Sequence, residues 1–438
     1  MRVAASGGDA APVTHLLPGQ GTHRWPQFLP DGHRFLFLAG YRRDVSGIYL
    51  GSVDGGPVTR VTDDTTAAVY APPGGLIAWR QGGVVAIPFD EARGVPTGVP
   101  RTIVPGVGAI TGIGRAAFAA SMTGVLAFRP DWAQRRQLVW VDRHGVITSA
   151  IGGPDENALA DPELAPDGQR VAVTRTVEGK SDVWVIDLHN GVAGRLTFDR
   201  TVDTMPVWSL DSQRVAFKSA DNTQTLQGAI FDTAASGAGD KTPLVTGGDD
   251  VRPQAWSPDG RYFLYARSDP QTGADLWALP LFGERKPFPL VQTSFDEGAG
   301  QVSPDGRWLA YESNERGRVE IYVRPFPTGS GLWQLSAAGG TEPRWNPNGK
   351  ELFYLAPDGR LMAVTLDVGA RTALRPSAPL PLFLTHLASG AGISSATGLS
   401  KPQYAVARDG RFLMNVALNE ATAPPITVIL SWAEALKK

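Results

Sequence analysis

The chain has 438 residues, with 41 Lys and Arg against 43 Asp and Glu, so at a net charge of −2 it has no basic field to neutralise many phosphates, and nucleic-acid binding is excluded. Its 51 glycines and 35 prolines make about a fifth of the residues helix breakers, where roughly 12% is usual, and long helices are excluded with them. Zero cysteines exclude thiol catalysis, cysteine metal sites and disulfides.

In chain order, residues 1–8 lack the apolar stretch of roughly 7–15 residues that a secretory signal needs. A repeated unit then begins: an apolar or aromatic residue, a Ser-Pro-Asp-Gly-like turn, and a short apolar run. Its copies start with Phe28-Leu29-Pro30-Asp31-Gly32, followed by degenerate ones around Pro73-Gly74-Gly75 and Met122-Thr123-Gly124. Next come Leu164-Ala165-Pro166-Asp167-Gly168, Trp208-Ser209-Leu210-Asp211-Ser212, Trp256-Ser257-Pro258-Asp259-Gly260 and Val302-Ser303-Pro304-Asp305-Gly306. Trp345-Asn346-Pro347-Asn348-Gly349 and Val406-Ala407-Arg408-Asp409-Gly410 complete nine units. Steps of 44, 48, 46 and 43 residues separate the turn residues from Asp167 to Asn348.

The turn has a mechanical basis: Pro presets φ, Asp tolerates the next position and Gly completes a type I turn, so each copy is a hairpin tip. The runs that follow, such as Arg170-Val171-Ala172-Val173 and Arg307-Trp308-Leu309-Ala310-Tyr311, alternate or run apolar, as strands do. A second apolar segment follows each about ten residues later, as in Asp182-Val183-Trp184-Val185-Ile186, Asp275-Leu276-Trp277 and Glu320-Ile321-Tyr322-Val323. Its continuous apolar character predicts sheets covered on both faces. Units of about 40–45 residues with three or four short antiparallel strands are the arithmetic of β-propeller blades, and the fold class is all-β. The last apolar run, residues 426–432, is far too short to span a membrane and reads as a buried strand.

The Trp-Ser-Pro-Asp-Gly-Arg pattern, with its following Asp-Leu-Trp or Glu-Ile-Tyr strand, resembles the TolB-type, WD-like propeller repeat from about residue 20 to the end. Several segments also resemble the C-terminal propeller region of eukaryotic-like serine/threonine kinases of acidobacteria. They are residues 23–32, Arg195-Leu196-Thr197-Phe198-Asp199, Tyr322-Val323-Arg324-Pro325-Phe326-Pro327, Glu351-Leu352-Phe353-Tyr354-Leu355 and residues 425–432. The resemblance implies a sensor part without its kinase domain, either a fragment or a stand-alone relative, and a periplasmic or extracytoplasmic location.

Nine units exceed the four to eight blades of one ring. The interruption at Pro130-Asp131-Trp132-Ala133-Gln134-Arg135-Arg136 predicts a division into an incomplete set of blades at 1–135 and a six-bladed TolB-like ring at 136–438. One continuous ring of eight or nine blades is the alternative.

The chemistry is sparse. No His-Arg-Asp, Asp-Phe-Gly or G-x-S-x-G motif occurs, so neither a kinase nor an α/β-hydrolase site is present in the sequence. The glycine run at 106–114 breaks the GxGxxG spacing at Thr111 and reads as a loop. His15, His23, His33, His144, His189 and His386 are scattered, and Asp63-Asp64 and Asp249-Asp250 read as solvated loop acids, so no metal or other cofactor is expected. Trp208, Trp256 and Trp345 share one place in the repeat and read as packing core. Innermost propeller strands line a central channel, and the residues where those strands begin are Arg24, Asp161, Asp203, Arg252, Glu297 and Glu342. Their mixed charge suits a small polar ligand or a peptide terminus, against the alternative of a solvated rim. The function expected is therefore a non-catalytic sensor or interaction module binding a protein partner or small ligand. A propeller hydrolase or lyase with its site in the channel is the competing reading.

Overall fold

The computed structural model of the chain describes all residues except 4, 42–44, 74, 111–113, 131–134, 178–179, 222–227, 248–249, 270, 369–373, 389–400, 419–424 and 436–438. Its repeated turns show why the motif has the residues it has. In the copy at 257–262, the Asp259 carboxylate accepts the Arg261 N–H at 3.0 Å, while the Ser257 hydroxyl accepts the Tyr262 N–H at 2.9 Å and donates to Asp259. The Gly260 N–H closes on the Ser257 carbonyl at 2.8 Å, and Gly260 has φ of 69°, a conformation glycine adopts without cost. The same bonds recur around Asp305 and Asp211, but Ser212 replaces the glycine in the latter copy and takes a φ of 58°.

These turns join antiparallel strands into nine sheets of three to five strands among the described residues, with one helix, Trp432–Ala435. No helix there is long and apolar enough to cross a membrane. The chain falls into two compact units, one of residues 1–132 and 420–438, the other of residues 133–221 and 227–419.

In the second unit, five blades follow in chain order, each opening with an inner strand: Leu159–Leu164, Val202–Trp208, Val251–Trp256, Glu297–Val302 and Thr341–Trp345. The sixth sheet is shared between the two ends of the unit. Tyr404–Val406 and Phe412–Ala417 supply its inner strands, and Arg136–Val141 and Ile147–Asp155 its outer ones. Arg136 pairs with Ala417 and Val141 with Phe412, so chain segments more than 270 residues apart lock the ring by backbone hydrogen bonds.

Six apolar clusters fill the six spaces between neighbouring blades. In one, Val171 and Val173 of the first blade meet Leu138, Trp140 and Leu413 of the closing blade. In another, Phe353 and Leu361 of the fifth blade meet Tyr404, Phe412 and Met414. Trp208 and Trp345 also donate their indole N–H groups to the carbonyls of Glu163 and Gln301, at 2.9 and 3.0 Å, in the preceding blade. Trp256 is half-buried and meets Phe263 edge-on, with ring centroids 5.0 Å apart.

The first unit has a four-stranded sheet over 20–62, a five-stranded one over 69–105, and a three-stranded one of Phe118–Ala120, Leu126–Phe128 and Thr427–Ile429. The first two pack through Leu36, Leu38, Ile48, Tyr70, Leu76 and Ile87. Ile77, Val84, Leu126, Phe128 and Trp432 join the second to the third, with the Trp432 ring so close to Gly75 that a Cβ there would lie 3.2 Å from it. The run at 426–432 is therefore a strand followed by a helix, and the expectation that it is buried fails. Thr427–Ile429 is an edge strand, and Ile426, Val428 and Leu430 are 69, 52 and 77% exposed.

Candidate functional site

The inner strands of the ring are kinked at one recurring place. The pairing register shifts between Ala160 and Glu163, Thr204 and Val207, Pro253 and Ala255, Gly298 and Gln301, and Thr341 and Arg344. At four of these bulges a residue other than glycine takes positive φ: Asp161 at 55°, Met205 at 58°, Ala299 at 51° and Glu342 at 58°. Such backbone is costly for residues with a Cβ, and a bulge re-aims the side chains beside it.

What the bulges bring together is a charged plug that spans several blades. Arg344 of the fifth blade donates to both carboxylate oxygens of Glu163 in the first, at 3.3 and 2.8 Å. Lys401, just ahead of the closing blade, donates to Glu163 at 3.3 Å and to the Pro206 carbonyl of the second blade at 2.5 Å. Arg344 and Lys401 are buried, 6 and 4% exposed. Burial pushes the Glu163 carboxyl up, but the two cations outweigh it and hold it below its ordinary value. Lys401 is pulled down by burial, against the opposing pull of Glu163.

A chain of buried acids lies beside the plug. The Glu312 carboxylate accepts the Glu342 N–H at 3.1 Å, and the Glu342 carboxylate accepts the Gln403 N–H at 3.1 Å. Gln403 reaches Asp161 at 3.4 Å, and the Thr174 hydroxyl donates to Asp161 at 2.7 Å. Burial pushes Glu312 up to about 8 and Glu342 to about 7. Glu297, at the start of the fourth inner strand, is pushed up to about 7 by burial, with Asp275 adding to the effect. Asp203, at the start of the second, is raised by burial as well. Among the described residues neither Asp203 nor Glu297 is in an ion pair; each takes hydroxyl hydrogen bonds, from Thr201 at 3.1 Å and Thr293 at 2.5 Å.

Of the six residues singled out in the sequence, five lie on the inner strands of the ring and Arg24 lies in the other unit, where it donates to the Thr22 hydroxyl at 2.9 Å. Asp161 and Glu342 meet through Gln403; Arg252 is buried against Asp250, Ser268 and the Lys218 salt bridge. The sequence reading misses Glu163, Glu312, Arg344, Lys401 and Gln403. A signal for most of them exists in the tripeptides Asp161-Pro162-Glu163, Glu342-Pro343-Arg344 and Lys401-Pro402-Gln403, where a polar or charged residue flanks a proline on each side.

Two of the acids expected to be solvated are buried in ion pairs instead. Asp64 binds the Arg80 guanidinium at 2.6 and 2.9 Å, and Asp250 binds Lys218 at 2.5 Å as well as Arg252. The reason is that a cation on a neighbouring strand lies within reach of each carboxylate. Asp63 is exposed, whereas Asp249 and residues 111–113 of the glycine run lie outside the described residues.

A family model described as the TolB β-propeller domain matches residues 146–279. Among curated proteins, 199 residues are 25% identical to the uncharacterized peptidase YuxL of Bacillus subtilis, covering 36% of this chain and 30% of that one. A stretch of 126 residues is 28% identical to the uncharacterized protein Atu1656 of Agrobacterium fabrum, covering 27% of this chain and 40% of that one. The matches thus span less than half the length of either relative. Among solved structures, one described as TolB from Agrobacterium tumefaciens is 16% identical, with a TM-score of 0.48, and covers 65% of this chain and 99% of that one. TolB from Acinetobacter baumannii is 17% identical, with a TM-score of 0.43, and covers 58 and 65%. The matched residues 146–279 lie within a ring whose remaining blades repeat the same architecture.

Proposed function

We propose that the chain is a non-catalytic recognition module, whose six-bladed ring binds a protein partner or small polar ligand through a cationic group. The observation that carries this reading is the division of labour among the inner-strand charges. Glu163, Arg344 and Lys401 are paired with one another and tie the blades together, whereas Asp203 and Glu297, where two inner strands begin, have no ion-pair partner among the described residues. Buried carboxylates that are raised in pKa and unpaired are sites where an incoming cation gains most. By its repeat resemblance we place the module outside the cytoplasm, as the sensory part of a receptor-like kinase or as a stand-alone TolB-like protein.

Calorimetric titration with short peptides bearing a free amino terminus, beside their acetylated counterparts, tests the reading. Binding that is lost on acetylation and weakened in Glu297→Gln supports it; no binding, or binding indifferent to both changes, overturns it.

A further inference from the structure

A cleft of about 760 Å³ opens where the fourth and fifth blades of the ring meet, and no residue of the charged plug lines it. Three pieces of chain form its walls. The turn at 316–318 joins the strands Trp308–Ser313 and Glu320–Pro325 of the fourth blade, and residues 334–337 cross from that blade to the fifth. Pro376, Ser377 and Pro379 come from the end of the fifth blade's strand Leu374–Pro376 and the segment after it.

The two arginines of the turn are held differently. The buried Glu320 carboxylate accepts the Gly339 N–H at 3.1 and 3.0 Å, the Ser336 hydroxyl, and the Arg318 Nε–H at 2.6 Å. Arg318 also donates to the Ala337 carbonyl, which fixes its guanidinium and leaves one terminal nitrogen without a partner among the described residues. Arg316 is exposed, and its side chain forms no hydrogen bond or ion pair among the described residues. Glu320 is the one acid among the lining residues, and both of its oxygens are taken; the neighbouring Glu315 does not line the cleft. Two guanidiniums therefore face the space against one saturated carboxylate. The apolar part of the lining includes Leu335, 4% exposed, with Pro376 and Pro379. A cavity of roughly 300–1,000 Å³ with apolar walls and a few placed polar groups is the usual form of a small-ligand site.

We propose that this cleft binds an organic anion, its carboxylate or phosphate held by Arg316 and Arg318 and its apolar body lying on Leu335, Pro376 and Pro379. The site goes beyond the inner-strand acids, because it selects the opposite charge and shares no residue with them. Guanidinium forks match the oxygens of carboxylates and phosphates. Arg318 is set in place by Glu320 before a ligand arrives, so little side-chain freedom is lost on binding, whereas Arg316 is the half that adapts.

Calorimetric titration of the full chain with phenyl phosphate and with N-benzoylglycine, beside phenol and N-benzoylglycinamide as uncharged counterparts, tests the proposal. At least one anion should bind and its uncharged counterpart should not, and the tighter anion identifies phosphate or carboxylate as the preferred group. Arg316→Gln, at an exposed position, should keep the far-UV spectrum and weaken binding at least about tenfold, the worth of one charge-assisted hydrogen bond. Ala337→Trp, also at an exposed position, should fill the cleft and abolish binding. Should one variant fail to fold, the other supplies the test. Absence of binding at millimolar concentration, equal binding of the uncharged counterparts, or binding untouched in a folded Arg316→Gln or Ala337→Trp variant would each overturn the proposal.

Discussion

Replacing Glu163 by alanine removes the carboxylate that Arg344 and Lys401 share, and leaves two cations 6 and 4% exposed without it. Stripping one partner from a buried pair costs about 3–5 kcal/mol, mostly the penalty of the charge left behind. Two features decide where in that range the loss falls. Lys401, already pulled down by burial, sheds part of the penalty by losing its proton, whereas a guanidinium cannot. The Glu163 side chain is 16% exposed, so water reaches part of the cluster once it is truncated. The expected loss is therefore at the lower end, about 3 kcal/mol, which is a large share of the ~5–15 kcal/mol of a typical domain. Urea unfolding followed by tryptophan fluorescence measures it, because Trp208 donates to the Glu163 carbonyl and reports on the same blade junction. A loss within about 0.5 kcal/mol, the range of ordinary surface substitutions, would refute the claim that the plug ties the blades.

Stability should fall as pH rises from about 5 to 8, because Glu312, Glu342 and Glu297 hold protons in the fold that the unfolded chain, with carboxyls near its ordinary 4.5, has released. Glu312→Gln should flatten that slope and raise stability at pH 8 by on the order of 4 kcal/mol, read as melting temperature against pH, and an unchanged slope would count against a buried Glu312. Trp345→Phe removes the donor to the Gln301 carbonyl and replaces the buried indole by a smaller ring, for an expected loss of at least about 1–2 kcal/mol in the same urea assay. Purified protein is expected to transfer no phosphate from magnesium ATP, and transfer that co-purifies with the chain would refute the non-catalytic reading.

Much of the ring is legible in the sequence because its turns are local chemistry. Ser, Asp and Gly at fixed offsets bond to their own backbone, so each hairpin announces itself without knowledge of the rest of the chain, and the alternating run after it follows from strand geometry. The inner hairpin of the closing blade carries the Val406–Gly410 copy of the turn, but its outer half is not legible in that way: 136–155 carries no Ser-Pro-Asp-Gly turn, and its partner strand is Phe412–Ala417, far along the chain. The exposure of Val428 is illegible for a related reason. An apolar run fixes that a segment is a strand, but only the count of neighbouring sheets decides whether its second face is covered. The plug is hidden because Glu163, Arg344 and Lys401 look like ordinary charges one at a time, and their meeting depends on bulges that shift the register in different blades. Position in the repeat identifies the candidate residues at the strand starts, and the same rule carries Arg24, which the structure puts in the other unit.

Closure of residues 133–419 into a ring by strands from both of its ends can be tested by expressing that segment alone beside a shorter one ending at 403. The longer segment is expected to give a β-type far-UV spectrum and one cooperative calorimetric melt. The shorter one lacks Tyr404–Val406 and Phe412–Ala417, exposes the faces of the first and fifth blades, and should lose that melt. Equal melts for the two segments, or failure of 133–419 to fold at all, would show that these strands do not close the ring.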